Sequence, residues 1–522
     1  MSLELEHAIG CNCEFKNICH LCPDGRYVKA VGGVLIVGDL NDPHEQVFLH
    51  GHDDFITSLA MSRRGDMCAS GQQGANANVI LWDLSVRQQK FLFEEHDHGI
   101  DCLGFTHDDR YLVSCGVVTD QRLFVIDTAS GLIVAHANIN PRPTVALCGG
   151  GFLRDIKRRD TDEYQFAACG GKNIVMWHLD TERHEIVAHP VSASGKHTRD
   201  YTCLAFSGDF EYLFVGTTTG DVAVVLMKNR VVQHFFSVCK AGVTSMVLIP
   251  SQTVRLLVGG GDGTATMMIG ETAQALWEQE HIQLDGSVMS LSVSPTAKEA
   301  LAVSAVGTCF LVRCTDLSVK VHSHASAGAI YDIAYPGFIS DLFLTASSDG
   351  HVVLWDANDY SARVRCAPRG AYPIAVDGSE DVIISGGSDG RLVCSDMVRG
   401  ENLWHVDNAH RGGVTSVRLA PSARFVLSGG VEGELRMWEF KTRQMMAHLK
   451  EHKARVNEVQ MFPSGQYAIS AGRDRSLFTW DLRTEKRLTA HTERHGGINT
   501  LALWSNQTSV ITAGQEKTLT YW

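Results

Sequence analysis

The chain has 522 residues, with 46 basic against 59 acidic side chains, 49 glycines, 12 prolines and 15 cysteines. The mild acidic excess argues against a protein built to coat nucleic acid, and no apolar run approaches the roughly 18 residues of a membrane span. Abundant glycine with scarce proline suits many strands joined by short turns. Cysteines set singly in apolar stretches (Cys68, Cys102, Cys115, Cys169, Cys203, Cys309) read as reduced, small hydrophobes of a soluble intracellular chain.

From the front, Met1–His7 lacks a basic segment followed by an apolar core, so no signal peptide is expected. Cys11, Cys13, Cys19 and Cys22, with His20, crowd the next stretch, but Cys19–Cys22 runs straight into Pro23-Asp24-Gly25, a strand followed by a turn. Neighbours on a strand point to opposite faces, so Cys19 and Cys22 do not readily share one tetrahedral ion, and no metal is expected. Val34–Asp39 then opens a series of apolar strands. It continues through Val79–Asp83, Leu123–Asp127, Ile174–Trp177, Val222–Leu226, Ala265–Ile269, Cys309–Val312, Val352–Asp356, Arg391–Asp396, Leu435–Trp438, Leu477–Asp481 and Leu519–Trp522. The best copies end in Trp-Asp, and they recur at roughly 43 residues, the period of WD-type propeller blades. Propellers hold about four to eight blades, so about twelve repeats predict an all-β fold of tandem WD40 β-propellers.

Seven third-strand signals fall before residue 325, so the first propeller is expected over residues 1–325, with the crossing at His322–Gly328. The second, over 326–522, has about five blades and stops on the Trp of the twelfth repeat, Trp522. An incomplete second ring, and a longer native polypeptide, are therefore expected. Leu3–Ile9 alternates as a closing strand would. Between the repeats, Gln72–Asn78 reads as an irregular polar loop, and Gly259–Gly263 as a hairpin turn. The latter lacks the Lys-Ser/Thr and the helix of a phosphate-binding loop, so no cofactor is expected. The long fourth repeat carries Arg154, Lys157, Arg158 and Arg159, a candidate contact loop for an acidic partner. Reversing Arg158 and Arg159 to glutamate is expected to weaken that contact without unfolding the chain. Arg483, Lys486, Arg487 and Arg494 form a second basic candidate.

Four polar sets recur in register: His324, Thr345, Asp349 and Trp355; His410, Ser428, Glu432 and Trp438; His452, Ser470, Asp474 and Trp480; and His495, Thr512, Glu516 and Trp522. A buried indole N–H needs an acceptor, a hydroxyl can relay, and imidazole can bridge to a turn carboxylate. A His/Ser/Asp trio also suggests a hydrolase, but nucleophilic catalysis needs one activated serine with an oxyanion hole, not one per repeat. Repeats four to seven depart from the pattern, and Val222–Leu226, Ala265–Ile269 and Cys309–Val312 have no Trp, so packing alone is expected to hold those blades. No enzyme activity is expected.

Several segments go beyond generic patterning: Leu3–Gly10, Tyr212–Asp221, Asn408–Thr415, Ser428–Glu434 and Leu449–Lys453. Together they resemble the cilia- and flagella-associated protein 52 family, over nearly the whole chain. The resemblance implies two tandem propellers and no catalysis. It implies a microtubule inner protein on the luminal wall of the axonemal doublet, in the B-tubule near the inner junction. Its partners would be tubulin and other inner proteins, with no nucleic acid and no membrane. Since tubulin is acidic, a binding face on this acidic chain would need local basic loops such as Arg154–Arg159. The competing reading is a general WD40 scaffold, such as a ubiquitin-ligase adaptor or a subunit of an RNA-processing particle.

Overall fold

A computed structural model describes the chain apart from residues 1–4, 43, 140–143, 155–158, 193–198, 327, 338–340, 369, 494–495, 505–508 and 516–517. Each repeat folds into one antiparallel sheet of consecutive strands, eleven of them four-stranded and the last three-stranded. The eleventh shows why. Val456–Met461, Tyr467–Gly472 and Ser476–Asp481 carry apolar residues on both faces, because a neighbouring sheet covers each side. The outermost strand, Lys486–Thr492, is polar and wholly exposed at the rim.

The chain divides into two compact units, Met1–Ala325 and Ser326–Trp522. In the first, seven innermost strands pack each against the next: Cys19–Leu21, Ile56–Met61, Ile100–Phe105, Ala146–Arg154, Tyr201–Phe206, Val243–Ile249 and Val288–Val293. The last of these returns to Cys19–Leu21, so the ring is closed. At that seam Asn17 N donates to Met289 O at 3.2 Å, Leu21 N to Ser292 Oγ at 2.9 Å, and Ser290 Oγ to Cys19 O at 2.9 Å. Cys13, Cys19, Leu21 and Tyr27 pack there on Leu301, Val303 and Cys309.

The expected closing strand at Leu3–Ile9 is not made. Leu3 and Glu4 lie outside the described residues, and Leu5–Ile9 has no strand structure. The first sheet already holds four strands of its own, Cys19–Leu21, Arg26–Val31, Val34–Asp39 and Gln46–His50. No edge is left vacant, and the leading segment lies beside the rim, with Ala8 N donating to Gln46 Oε1 at 3.0 Å.

Two hairpin turns show how closely the sheets approach. Gly220 (φ +89°) and Gly390 (φ +85°) adopt backbone that L side chains resist, and a Cβ at either would strike a carbonyl oxygen, of Cys239 and His410 respectively.

In the second unit five innermost strands follow one another as an arc: Ile330–Ala334, Pro373–Gly378, Val414–Leu419, Val456–Met461 and Ile498–Leu503. The first sheet of the arc leaves Ile330, Tyr331, Ile333 and Tyr335 exposed, and the last leaves Trp504, Leu519 and Tyr521 exposed.

Candidate functional site

The polar sets are internal relays that lock each sheet. In the eleventh, Trp480 Nε1 donates to Ser470 Oγ at 2.8 Å, Ser470 Oγ lies 2.8 Å from His452 Nε2, and His452 Nδ1 lies 3.1 Å from both oxygens of Asp474. Asp474 also accepts from Lys453 N at 2.8 Å, tying the turn to the linker. A neutral imidazole with its proton on Nδ1 satisfies every group: indole to hydroxyl, hydroxyl to Nε2, Nδ1–H to carboxylate.

In the tenth sheet Trp438 and His410 meet Ser428 Oγ at 2.9 and 2.7 Å. The carboxylate that His410 reaches is Glu434, at 3.1 Å, not Glu432, which is exposed and faces Arg411. In the eighth sheet Trp355 Nε1 donates to Thr345 Oγ1 at 2.8 Å, while Asp349 accepts from Ser347 Oγ and from His351 N within its own turn. His324 belongs to the first unit. In the twelfth, Trp522 Nε1 donates to Thr512 Oγ1 at 2.9 Å, and His495 and Glu516 lie outside the described residues.

Two relays escaped the sequence reading. His52 joins Ser70 (2.6 Å) and Gln72 (2.8 Å), with Trp82 on Ser70 at 2.7 Å. Gln72 is therefore the buried last residue of a strand, not part of an irregular loop. His96 joins Ser114 (2.9 Å) and Asp120 (2.6 Å), with Phe124 edge-on to the imidazole in place of an indole. The constant separation of 18 residues between His and Ser, shared by all four complete relays, is the signal that finds them.

Trp177, in the fourth sheet, is the exception that explains the rule. Its indole nitrogen is buried without a hydrogen-bond partner among the described residues. In the sheets with a relay, the hydroxyl stands two residues after the strand partner of the Trp: Trp480 pairs with Ala468 and bonds Ser470. Trp177 pairs with Phe166, so the equivalent position is Ala168, which offers no acceptor. Ala168→Ser should therefore stabilise the first unit by about 0.5–1.5 kcal/mol, read as a rise in the urea midpoint.

Sheets without a relay are not held by packing alone. Thr202 Oγ1 donates to Val243 O and Thr244 Oγ1 to Val288 O, both at 2.5 Å, so each hydroxyl bridges from one innermost strand to the next. Thr57, Thr415 and Asn457 make the same bridge elsewhere.

The innermost strands of the second unit carry a buried ionic chain. Arg418 Nη2 contacts Glu458 Oε1 at 2.7 Å. Asp332 accepts from Val376 N at 2.9 Å and Asp377 from Leu419 N at 2.7 Å, each bond joining consecutive sheets. Burial pushes the carboxyls of Asp332 and Asp377 up, and that of Glu458 to about 7, against the pull of Arg418.

Burial acts on the relay histidines in the opposite sense, holding His52, His96 and His452 below the usual imidazole range and His410 at about 4. These rings stay neutral in the fold while an unfolded imidazole takes a proton near pH 6.5. Each therefore removes up to about 1.4 kcal/mol of stability per pH unit as pH falls from about 6.5 towards its folded value. Glu458 stays protonated in the fold up to about pH 7, whereas an unfolded glutamate ionises near 4.5, so its contribution falls as pH rises to about 7 and is constant above. Urea midpoints of the second unit should accordingly vary with pH below about 7, where the two effects oppose each other, and level off above it.

Of the basic loop, Arg154 ends its strand with its guanidinium engaged by Asp160 (3.1 Å) and Glu211 (3.6 Å). Lys157 and Arg158 lie outside the described residues, and Arg159 is described and exposed. The second basic group is better presented. Arg483, Lys486 and Arg487 are exposed on the eleventh sheet, with Arg487 engaged by Glu451; Arg494 lies outside the described residues.

Four-stranded sheets, relays between His, Ser and Trp, and ring packing define a WD-repeat β-propeller protein. The WD domain, G-beta repeat family matches residues 44–83, 87–127, 402–439 and 443–481, which are the four repeats with complete relays. Along most of its length the chain is similar to cilia- and flagella-associated protein 52. With that of Mus musculus it is 26% identical over 463 residues, and with that of Chlamydomonas reinhardtii 28% over 465; each match covers 86% of this chain and 72% of the relative. It is also 24% identical to WD repeat-containing protein 90 of Homo sapiens over 450 residues, 80% of this chain and 25% of that protein. The similarity to the cilia- and flagella-associated protein 52 family thus runs well beyond the repeats that the WD family matches. The chain is a WD-repeat protein, and the relatives it resembles are named for cilia and flagella.

Proposed function

We propose that this protein is a structural microtubule inner protein, bound to the luminal wall of the axonemal doublet in the B-tubule near the inner junction. There it would stabilise the doublet during beating, in contact with tubulin and other inner proteins. The observation that carries this reading is the extent of the family similarity: 86% of the chain, far beyond the four repeats that any WD protein would share. The relays support a scaffold rather than an enzyme, because each serine oxygen is buried and already engaged by an indole and an imidazole. Charge supports an acidic partner for the second unit. Residues 1–325 hold 25 basic against 37 acidic side chains, whereas residues 326–522 hold 21 against 22, with Arg483, Lys486 and Arg487 exposed.

Detergent extraction of flagella followed by salt washing tests the reading: the protein should remain with the doublets. Recovery in the soluble fraction, with ligase or ribosome-assembly subunits and no tubulin, would favour the general scaffold. Arg483→Glu with Lys486→Glu should leave the thermal midpoint unchanged and weaken retention on doublets severalfold.

A further inference from the structure

The seam of the first propeller holds a cluster of thiols that neither the relays nor the proposed function uses. Cys11 and Cys13 bring their Sγ atoms to 2.7 Å, well inside the contact distance of two unbonded sulfurs. The backbone imposes this approach. Cys13 N donates to Cys11 O at 2.8 Å, closing a three-residue turn at Asn12. Such a turn holds its end Cα atoms within the roughly 4.4–6.8 Å that a disulfide spans. The turn is itself clamped. Asn12 N donates to Ala30 O, its Nδ2 to Gly32 O and Ile56 O, and its Oδ1 accepts from Gly32 N.

Around the pair stand a third thiol and a buried cation. Cys309, on the seventh sheet, hydrogen-bonds with Cys11. Lys29 is 4% exposed and has no ion pair with a carboxylate among the described residues. Its charge acts instead on Tyr27, Cys309, Cys11 and Cys19, and it lies 5.7 Å from the Tyr27 ring centre. That charge pulls the Cys19 and Cys309 thiols down, against a larger rise from burial and the neighbouring thiol, so these thiols rest protonated. Of the two, Cys11 is the less enclosed residue, partly exposed where Cys13 is buried.

We propose that Cys11 and Cys13 are a reversibly oxidisable dithiol, a modification site whose oxidant is a low-molecular-weight disulfide such as glutathione disulfide. The Cys11 thiolate attacks one sulfur of the oxidant, breaking its S–S bond and releasing one glutathione thiolate. The Cys13 thiolate then attacks the Cys11 sulfur, breaks the mixed disulfide and releases the second glutathione. The two thiol protons pass to the two glutathione thiolates, so the protein loses two protons and two electrons. The hydrogen bond to Cys13 and burial hold the Cys11 thiol well above its ordinary range, so the resting pair is the dithiol.

Trypsin separates the relevant cysteines: cleavage after Lys16 leaves Cys11 and Cys13 in one peptide, apart from Cys19, Cys22 and Cys309. The full chain, folded and treated with glutathione disulfide, is alkylated and mapped by mass spectrometry. The expected result is loss of two alkylatable thiols, with the 1–16 peptide lighter by two hydrogens and restored by dithiothreitol. Cys13→Ser should leave Cys11 without an internal link after the same treatment, carrying glutathione or alkylated. Cys102 and Cys115 serve as the internal comparison, since they oppose each other and hydrogen-bond across neighbouring strands but are both buried. Full alkylation of Cys11 and Cys13 in the treated wild-type chain overturns the proposal. So does a first link at Cys102–Cys115 or between Cys11 and Cys309.

Discussion

Trp480→Ala should destabilise the second unit by about 3–5 kcal/mol, the range for truncating a large buried aromatic. Trp480 is 1% exposed and packs among Leu427, Val456, Val459, Ala468, Phe478 and Leu482, between the tenth and eleventh sheets. Truncation opens a cavity there and also removes the donor to Ser470 Oγ, leaving that hydroxyl with His452 as its remaining relay partner. Trp480→Phe keeps most of the apolar contact and loses the hydrogen bond, so about 1–2 kcal/mol is expected for it. Urea denaturation followed by far-ultraviolet circular dichroism separates the variants. A loss under 1 kcal/mol for the alanine variant would mean that the relay does not hold the sheet.

Arg418→Ala should be about as damaging, roughly 3–5 kcal/mol at pH 8, because it leaves Glu458, Asp377 and Asp332 buried with no cation. The loss should shrink at pH 6. Burial already raises these carboxyls, and with the guanidinium gone they would protonate more readily, removing the uncompensated charge. Denaturation midpoints of wild type and variant at the two pH values test this. Equal losses at both would show that the guanidinium acts through packing alone. Arg418→Met, which fills similar volume without charge, should show the same pH dependence on a smaller base.

The relays also show what could be read before the structure. The Trp-Asp endings located third strands because an indole at that register needs a hydroxyl on the neighbouring strand, and strand pairing fixes the separation of the two. The histidine to serine spacing is likewise constant at 18. The acid is different, since its place about the hairpin varies: Asp474 sits within the turn, 22 residues after His452, Glu434 opens the following strand, 24 after His410, and Asp120 ends a longer turn, 24 after His96. With Glu432 in the turn and Glu434 opening the strand, sequence alone could not choose. Gln72 was missed because it is an amide in an acid's place. The Thr202 and Thr244 bridges carry no local signature at all, since their acceptors lie about 40 residues on and meet them only when sheets pack side by side. The ionic chain of Asp332, Asp377, Arg418 and Glu458 is invisible in sequence for the same reason.

The first ring closes by packing one complete sheet on another, and no sheet draws strands from both ends of the unit. That has a consequence for synthesis on the ribosome. A propeller whose last blade borrows an early strand must hold that strand unpaired until the blade emerges. Here each sheet can complete its hydrogen bonds as soon as its fourth strand is out, the first of them by His50. The ring can shut once residues 288–323 have appeared. Residues 326–522 take roughly 10–40 s more to make, at about 5–20 residues per second. During that time the first propeller has every element that it needs to stand folded, with no open strand edge waiting on the rest of the chain.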